Sequence, residues 1–571
     1  MGTSSLYRGV QVALLSIAAL AAFIPFGSQA GTPGDLVLQD GAIYTLDAKQ
    51  PWATALVIHA GRIAYVGDDA GAKPYIEKGA RVLDLHGKMV MPGFHDAHIH
   101  PMSGAMRLIG CKLGDINTLA QLRIRLRAEA SAKHAWVFCN GVPDALGRGL
   151  TRAEFDRLVP DRPAFVRTFD GFTAWANSKA FAAAGIDPEG TAPVMEGLER
   201  DPKTHRLTGL LKGDATSLVR NKVPPPTEAE YREALRRASA IANSFGITSM
   251  FDAVVDPDML QAYHDADIAG QLTVRMVAAQ RVDTELGVAQ VDDFIKRRDA
   301  VQGKRFRADA AKIFMDEEIF EHTAAMLAPY ADAPDSRGPV YTQEQIAGFD
   351  AIVTRLDAEG FLIHFHAMGD AAVRTALDAL EQAEHTNGPE DRRHQVAHDG
   401  VVDPADIPRF GKLGVMANFS SIWFQADDAA AAPTLAALGQ ERSRWMYPIG
   451  SIAKAGGRLT AGSDWPQPSM NPLDYMQYAV TRQPLDGSKP PLQPDERISL
   501  AQAIAASTKD AAWAVREDKL DGTLEVGKAA DVVVLDQNLF KMDVMAIHKA
   551  HVLLTLLDGE PVYRDPHFTS P

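Results

Sequence analysis

Cysteine is almost absent. Cys111 and Cys139 are the only two in 571 residues, too few for a disulfide framework, and neither belongs to a Cys-x-x-Cys pair of the kind that binds zinc. They form either one bridge or two buried thiols. Cys139 closes the apolar run Ala135-Trp136-Val137-Phe138, which favours buried thiols. Positive charge is also scarce. Lys and Arg number 58 against 73 Asp and Glu, a net charge of −15, so the chain lacks the basic surface that sequence-independent nucleic-acid binding needs. The acidic excess otherwise speaks only to solubility. Internal repeats and low-complexity tracts are missing, and so are long apolar runs, with one exception. Arg8, the apolar stretch 12–26 and Ser28-Gln29-Ala30 read as a secretory signal cleaved after Ala30, which places the mature chain in the periplasm or outside the cell, free of the membrane. An uncleaved anchor helix is the other reading, though the run is short for a bilayer.

What is present is bulk: 46% hydrophobic residues over a length that suits two to four domains, or one large α/β barrel with an appendage. Residues 31–90 hold short alternating segments (Asp35 to Leu38, Ala42 to Thr45, Ala55 to Ile58, Arg62 to Val66) punctuated by Gly41, Gly61 and Gly67, a β-rich pattern with tight turns. Residues 515–571 hold similar material, where Gly527-Lys528-Ala529-Ala530-Asp531 leads into Val532-Val533-Val534-Leu535 and a second apolar run starts at Val552. The two ends are expected to form one small β-sandwich. Between them, residues 91–514 alternate strand-like runs (135–140, 164–168, 247–252, 272–278, 311–315, 361–366, 395–398, 415–418, 459–462) with helical stretches at 118–132, 227–245 and 370–383. Thr227 and Glu230 form a capping box at the second of these helices. Such alternation predicts parallel βαβ units and a barrel. The excursion 185–226, rich in Gly, Pro and charge and ending Pro224-Pro225-Pro226, reads as a loop or lid over the barrel mouth or as a disordered surface insert.

The densest chemistry lies in Pro92-Gly93-Phe94-His95-Asp96-Ala97-His98-Ile99-His100-Pro101. In an extended strand residues two apart share a face, so His98 and His100 can reach one metal ion; alone, the pair reads equally as a polar strand end that meets water. Barrel active sites form at the C-terminal ends of strands, so partners should end other apolar runs. Lys312, inside Ala310-Ala311-Lys312-Ile313-Phe314-Met315, either makes a salt bridge across the barrel or is held neutral by burial and carbamylated by carbon dioxide into a metal-bridging carboxylate. His364 and His366 repeat the two-residue spacing. His394 and His398 are four apart, which suits one face of a helix or, with only Gln395-Val396-Ala397 between them, one side of a strand. Asp464 follows the run at 459–462 and precedes Trp465-Pro466, well placed as an exposed carboxylate. Singly each of these reads as structural. In series, His-x-His, Lys, His, His and Asp each end a different strand candidate.

In this series the sequence resembles the amidohydrolase superfamily of metal-dependent hydrolases, in the branch that includes N-substituted formamide deformylase. The resemblance runs through nearly the whole chain after residue 34. It is carried by 92–100, Asn177-Ser178, His366-Ala367-Met368-Gly369-Asp370, Ala397-His398, Gly462-Ser463-Asp464-Trp465-Pro466 and Gly527-Lys528-Ala529-Ala530-Asp531. It implies an α/β fold, a distorted (β/α)8 TIM barrel with a β-sandwich from both termini. It also implies roles: His98, His100 and Asp464 on the more buried metal, Lys312 as the lysine that can be carbamylated, His366 and His398 on a second metal, and Asp464 as general base. Two positions depart from the family pattern. Phe172 stands where relatives usually have His, which removes a substrate contact, and Glu317 stands where Gly is common after Asp316, which alters the loop beyond the lysine strand.

Mixed His, Asp and carbamate donors suit zinc best, as one or two ions, with Mn2+ or Fe2+ as alternatives. Such an ion lowers the pKa of its water from about 15.7 to about 7. Asp464 would then act as base and acid while hydroxide attacks a carbonyl or amidine carbon. His366 and His394 join Asp464 as catalytic candidates. Phe172, Trp423 and Trp465 are candidates for an apolar pocket wall, and His364 for a substrate-facing or supporting role. The expected activity is hydrolysis of a non-peptide C–N bond in a small molecule: an N-acyl amine, a formamide or a small amide. Deamination of a cyclic amidine is the alternative, and a catalytically dead binding protein on the same barrel is a third reading. A homo-oligomer is compatible with all three.

Overall fold

The computed structural model describes residues 35–568, apart from 114–115, 132–133, 169–172, 191–194, 196, 214, 427–429 and 468. The expected signal segment and Phe172 therefore lie outside the described residues. Eight strands, Phe94–Ile99, Ile247–Val255, Arg275–Arg281, Phe306–Phe314, Leu362–Ala367, Gln395–His398, Met416–Phe419 and Arg458–Ala461, follow one another in a single sheet. Every pairing between neighbours in it is parallel. The eighth strand returns to the first, where Asp464 N–H donates to His98 O (2.8 Å) and His100 N–H to Trp465 O (2.9 Å). Helices including Glu228–Ser244, Gln343–Ala358 and Asp370–Asn387 surround the sheet. The first of them carries the expected capping box. This is a TIM barrel. Alternation explains its interior: Ala310 and Leu362 face a small inner cluster with Phe251, Val277 and Ala279. Lys312, His364 and His366 continue the same inward rows, two and four residues on.

The strands expected at 135–140 and 164–168 exist as Val137–Asn140 and Ala164–Arg167, but they are not barrel strands. They sit in a separate six-stranded sheet between the first and second barrel strands, ordered Leu198–Arg200, Leu207–Lys212, Thr173–Ala176, Ala164–Arg167, Val137–Asn140, Cys111–Lys112. Much of the excursion at 185–226 is thus ordered: a hairpin at the edge of this sheet and the helix Ala215–Arg220, sharing a core with Phe165 and Phe181. Cys111 and Cys139 are not two thiols but a disulfide. The expectation of burial was right, since Cys111 and Cys139 are both buried. The pairing escaped it because it depends on register: the two cysteines are directly opposite on adjacent parallel strands, with Cα atoms 4.6 Å apart.

The two chain ends build two packed sheets. One holds Leu36–Gln39, Ala55–His59, Arg62–Gly67 and Arg81–Asp84; the other joins Ala42–Tyr44, Trp52–Ala53 and Met89–Pro92 to Val532–Leu535, Val552–Leu557 and Glu560–Arg564. Leu36, Leu38 and Leu56 meet Val90, Val532, Val534 and Leu556 in a shared core. A buried charge cluster clasps this sandwich to the barrel. Arg275, which opens the third strand, holds Asp531 at 2.7 Å and Asp558 at 2.5 Å, and Arg305 reaches Asp558 at 2.7 Å. His95 Nε2 lies 3.4 Å from Asp521 Oδ1. Arg275, Arg305 and His95 sit at the N-terminal ends of barrel strands, which leaves the opposite mouth, where barrel enzymes place their chemistry, to other segments. Among the described residues no helix is long and apolar enough to cross a membrane.

Candidate metal centre

At the C-terminal mouth the closure of the barrel also assembles the site. His98 and His100 leave the first strand on one face, and Asp464 leaves the eighth. Asp464 Oδ1 lies 3.2 Å from His100 Nε2 and 3.7 Å from His98 Nε2, and one donor atom from each residue falls within 4.8 Å of the others. This approach needs glycine at position 462. A Cβ there would sit 2.5 Å from His98 Cβ and 2.6 Å from its backbone nitrogen, closer than packed atoms tolerate. Asp96 fixes the junction by accepting from Ser463 N–H (3.0 Å) and His98 N–H (3.3 Å). The His98 ring is 4.7 Å from His398, centroid to centroid, and His398 is 4.3 Å from His366. His366 Nε2 is buried with no hydrogen-bond partner among the described residues.

His398 shares the parity of Val396, whose side chain packs in the core between barrel and helices. Its left-handed backbone, φ 77°, breaks the alternation at the strand end. Asp399 (φ 46°) and Asp464 (φ 54°) are left-handed too. Non-glycine residues in this region cost on the order of 1–3 kcal/mol each and gather at functional sites.

Electrostatics hold three of the histidines and Asp464 in their ligating forms. Burial, then the Lys312 ammonium, pushes His98 and His366 well below the ordinary imidazole range. Burial, then His366, does the same to His398. Neutral imidazole is the form that binds metal. Burial also lowers Lys312 to about 7, against the opposing pull of Asp464 and Glu317. Burial works against charge on Asp464, but its bond to His100 and its interactions with His398, His100 and Lys312 prevail, and the carboxyl is held below its usual range. One ionised carboxylate, four imidazoles, an amine poised near neutrality and an orphaned Nε2 fit a divalent cation.

The structure thus brings together His98, His100, His366, His398 and Asp464, with Lys312 beside them on the fourth strand. It separates His394 from them. That residue precedes the sixth strand at the opposite end of the barrel, where its Nε2 meets Asp357 Oδ1 at 2.9 Å and its Nδ1 accepts from Ile363 N–H at 3.1 Å. A four-residue gap fits one strand face, but a strand of four residues spans the barrel wall, and the two histidines reach different ends. His364 is fully buried, with its Nε2 2.9 Å from His98 Nδ1. Trp465 and Trp423 are half-buried after the eighth and seventh strands; the Trp465 ring lies over Gly104, where a Cβ would sit 2.1 Å from it. Glu317 is exposed in the loop after the fourth strand. Sequence reading missed Asp252, near the end of the second strand, which accepts from Tyr263 Oη–H at 2.6 Å and is raised by burial to about 6 against the influence of His100. Its position late in an apolar run was the available signal. It also missed Asp316, whose carboxylate takes the N–H groups of Ala325, Met368 and Gly369 and so ties the loop beyond Lys312 to the His366 strand.

A model of the amidohydrolase family matches residues 81–563. This chain belongs to that family. The amidohydrolase is therefore a metal-dependent hydrolase acting on carbon–nitrogen bonds. It is 30% identical to the protein LONG AFTER FAR-RED 3 of Arabidopsis thaliana over 94% of this chain and 92% of that one. It is 25% identical to N-substituted formamide deformylase of Arthrobacter pascens over 92% and 97%. An uncharacterised metal-dependent hydrolase from Pyrococcus furiosus superposes with a TM-score of 0.74 at 25% identity, covering 89% of this amidohydrolase and 100% of that chain. Atrazine chlorohydrolase TrzN from Arthrobacter aurescens TC1, complexed with zinc, shares the fold with a TM-score of 0.52 at 16% identity, over 94% and 97%.

Proposed function

We propose that this amidohydrolase acts outside the cytoplasm on an N-acyl amine, a formamide or a small amide, with zinc as its ion. The observation that carries the reading is the convergence of His98, His100 and Asp464 at the barrel mouth. In this reading they hold one ion with the Lys312 carbamate, and His366 and His398 hold a second. The bound metal supplies an acidified water and a contact that polarises the scissile carbonyl. Asp464, held ionised, accepts the proton of the attacking water and returns it to the departing nitrogen. A C–O bond forms, the C–N bond breaks, one water is consumed, and the products are a carboxylic acid and an amine. Lys312 becomes a carbamate when its neutral Nζ attacks the carbon of carbon dioxide and loses a proton; burial keeps that amine neutral more readily than a surface lysine. The Arthrobacter relative is named for formamide deformylation, which supports that substrate class. Export is supported by the signal-like pattern of residues 1–30 and by the disulfide.

The test is a panel of formamides, N-acyl amines and cyclic amidines, scored for carboxylate and for ammonia release. Carboxylate without ammonia from N-substituted substrates is the expected result. Asp464→Asn and His98→Ala should each cut turnover at least about 100-fold while circular dichroism is unchanged. Turnover retained in both variants, or ammonia release from the amidines alone, would overturn the reading.

A further inference from the structure

One buried contact of the centre has no part in the roles above. His364 Nε2 lies 2.9 Å from His98 Nδ1, and both rings are fully buried. The His98 ring therefore points one nitrogen at His364 and the other, Nε2, toward Asp464 at 3.7 Å. A neutral imidazole carries one proton. If Nε2 is to offer a lone pair to a metal, the proton must be on Nδ1, and the acceptor in place to take its hydrogen bond is His364 Nε2. The other nitrogen of His364, Nδ1, is buried with no hydrogen-bond partner among the described residues. The ring packs 4.8 Å from Phe251, and strand register places it level with Lys312.

We propose that His364 is a positioning residue for the metal centre: it accepts the Nδ1–H of His98 and so fixes both the tautomer and the ring orientation that present Nε2 to the ion. The inference rests on the metal-centre reading above. Metal-bound histidines usually donate their other N–H to a carboxylate, a backbone carbonyl or a water. Here the acceptor is an imidazole, which orients the ring without adding charge to a site that already holds Asp464. His364 touches neither the ion nor the substrate.

The experiment measures zinc affinity, by chelator competition on metal-stripped protein, in the parent, His98→Ala, His364→Phe, His364→Leu and His364→Gln, with the melting temperature of each metal-free form. The Gln side-chain oxygen reaches the place of Nε2 and can accept the same bond; Phe and Leu cannot. Expected is a loss of about 10- to 100-fold in affinity for Phe and Leu, with Gln within threefold of the parent. The two apolar variants guard against one failing to fold. Phe or Leu binding within threefold of the parent overturns the proposal. So does Gln losing as much as they do, because packing rather than the hydrogen bond would then be at work. If the parent binds no zinc that His98→Ala removes, the metal-centre reading itself falls; if it does, and only His364 proves silent, this proposal falls alone.

Discussion

Burial brings the Lys312 ammonium down to about 7 from 10.5. Between those two values the unfolded chain binds a proton that the folded one does not, so this residue's contribution to stability rises with pH through that window and is most unfavourable below pH 7. Lys312→Met should accordingly stabilise the metal-free protein at pH 7 by on the order of a few kcal/mol, with the gain shrinking toward zero as pH approaches 10.5. Urea denaturation of parent and variant in chelator at pH 7 and pH 9.5 checks this; an equal gain at both pH values would mean the charge is not felt. Lys312 was legible because a charged side chain in an apolar run demands a reason. His98, His100 and His366 were legible because strand geometry has a period of two. Spacing alone did not separate His398 from His394, and only the resemblance set His398 apart as a ligand: what distinguishes them physically is a left-handed backbone at one and a helix-borne Asp357 facing the other, and neither is written in the spacing.

At the scale of elements, the runs at 135–140 and 164–168 announced strands but not their sheet, because hydrogen-bonding partners far apart in the chain are not a local property. The same gap hid the disulfide. Cys111 and Cys139 are 28 residues apart, and closing a loop of that length stabilises by about 3–4 kcal/mol in the chain-entropy account. Both cysteines also pack in a core of the inserted sheet that is separate from the barrel core. Replacing them together by serine should therefore loosen the insert and spare the barrel. Hydrogen exchange should accelerate across 111–212 while peptides covering 306–314 and 362–367 keep parental protection. Acceleration spread evenly over both would show that the insert and the barrel unfold as one unit.

At the scale of the whole molecule, the sandwich is fastened by few but buried charges. Arg275 serves Asp531 and Asp558 together, and Asp521 is 3.6 Å away. Arg275→Met would leave carboxylates stranded in the interface, and removal of one partner of a buried pair costs about 3–5 kcal/mol. A fall of that size in urea stability, with metal affinity at the opposite mouth unchanged, is the expected result; a loss below about 1 kcal/mol would mean the clasp adds little. The sandwich itself was readable from strand-like segments at both termini. The clasp was not, because Arg275 and Asp531 meet only once the barrel has formed between them.

Met89–Pro92 lies between Ala42–Tyr44 and Val532–Leu535 in one sheet. Through whatever channel the nascent polypeptide emerges, its early strands come out first, and their last neighbours arrive only with the closing segment. At ordinary rates of synthesis that delay is on the order of tens of seconds. During it Leu38, Leu56 and Val90 have only one another and early neighbours such as Ile43 and Leu83 to pack on, without Val532, Val534 and Leu556, so the face that the closing strands will cover stays open to a chaperone.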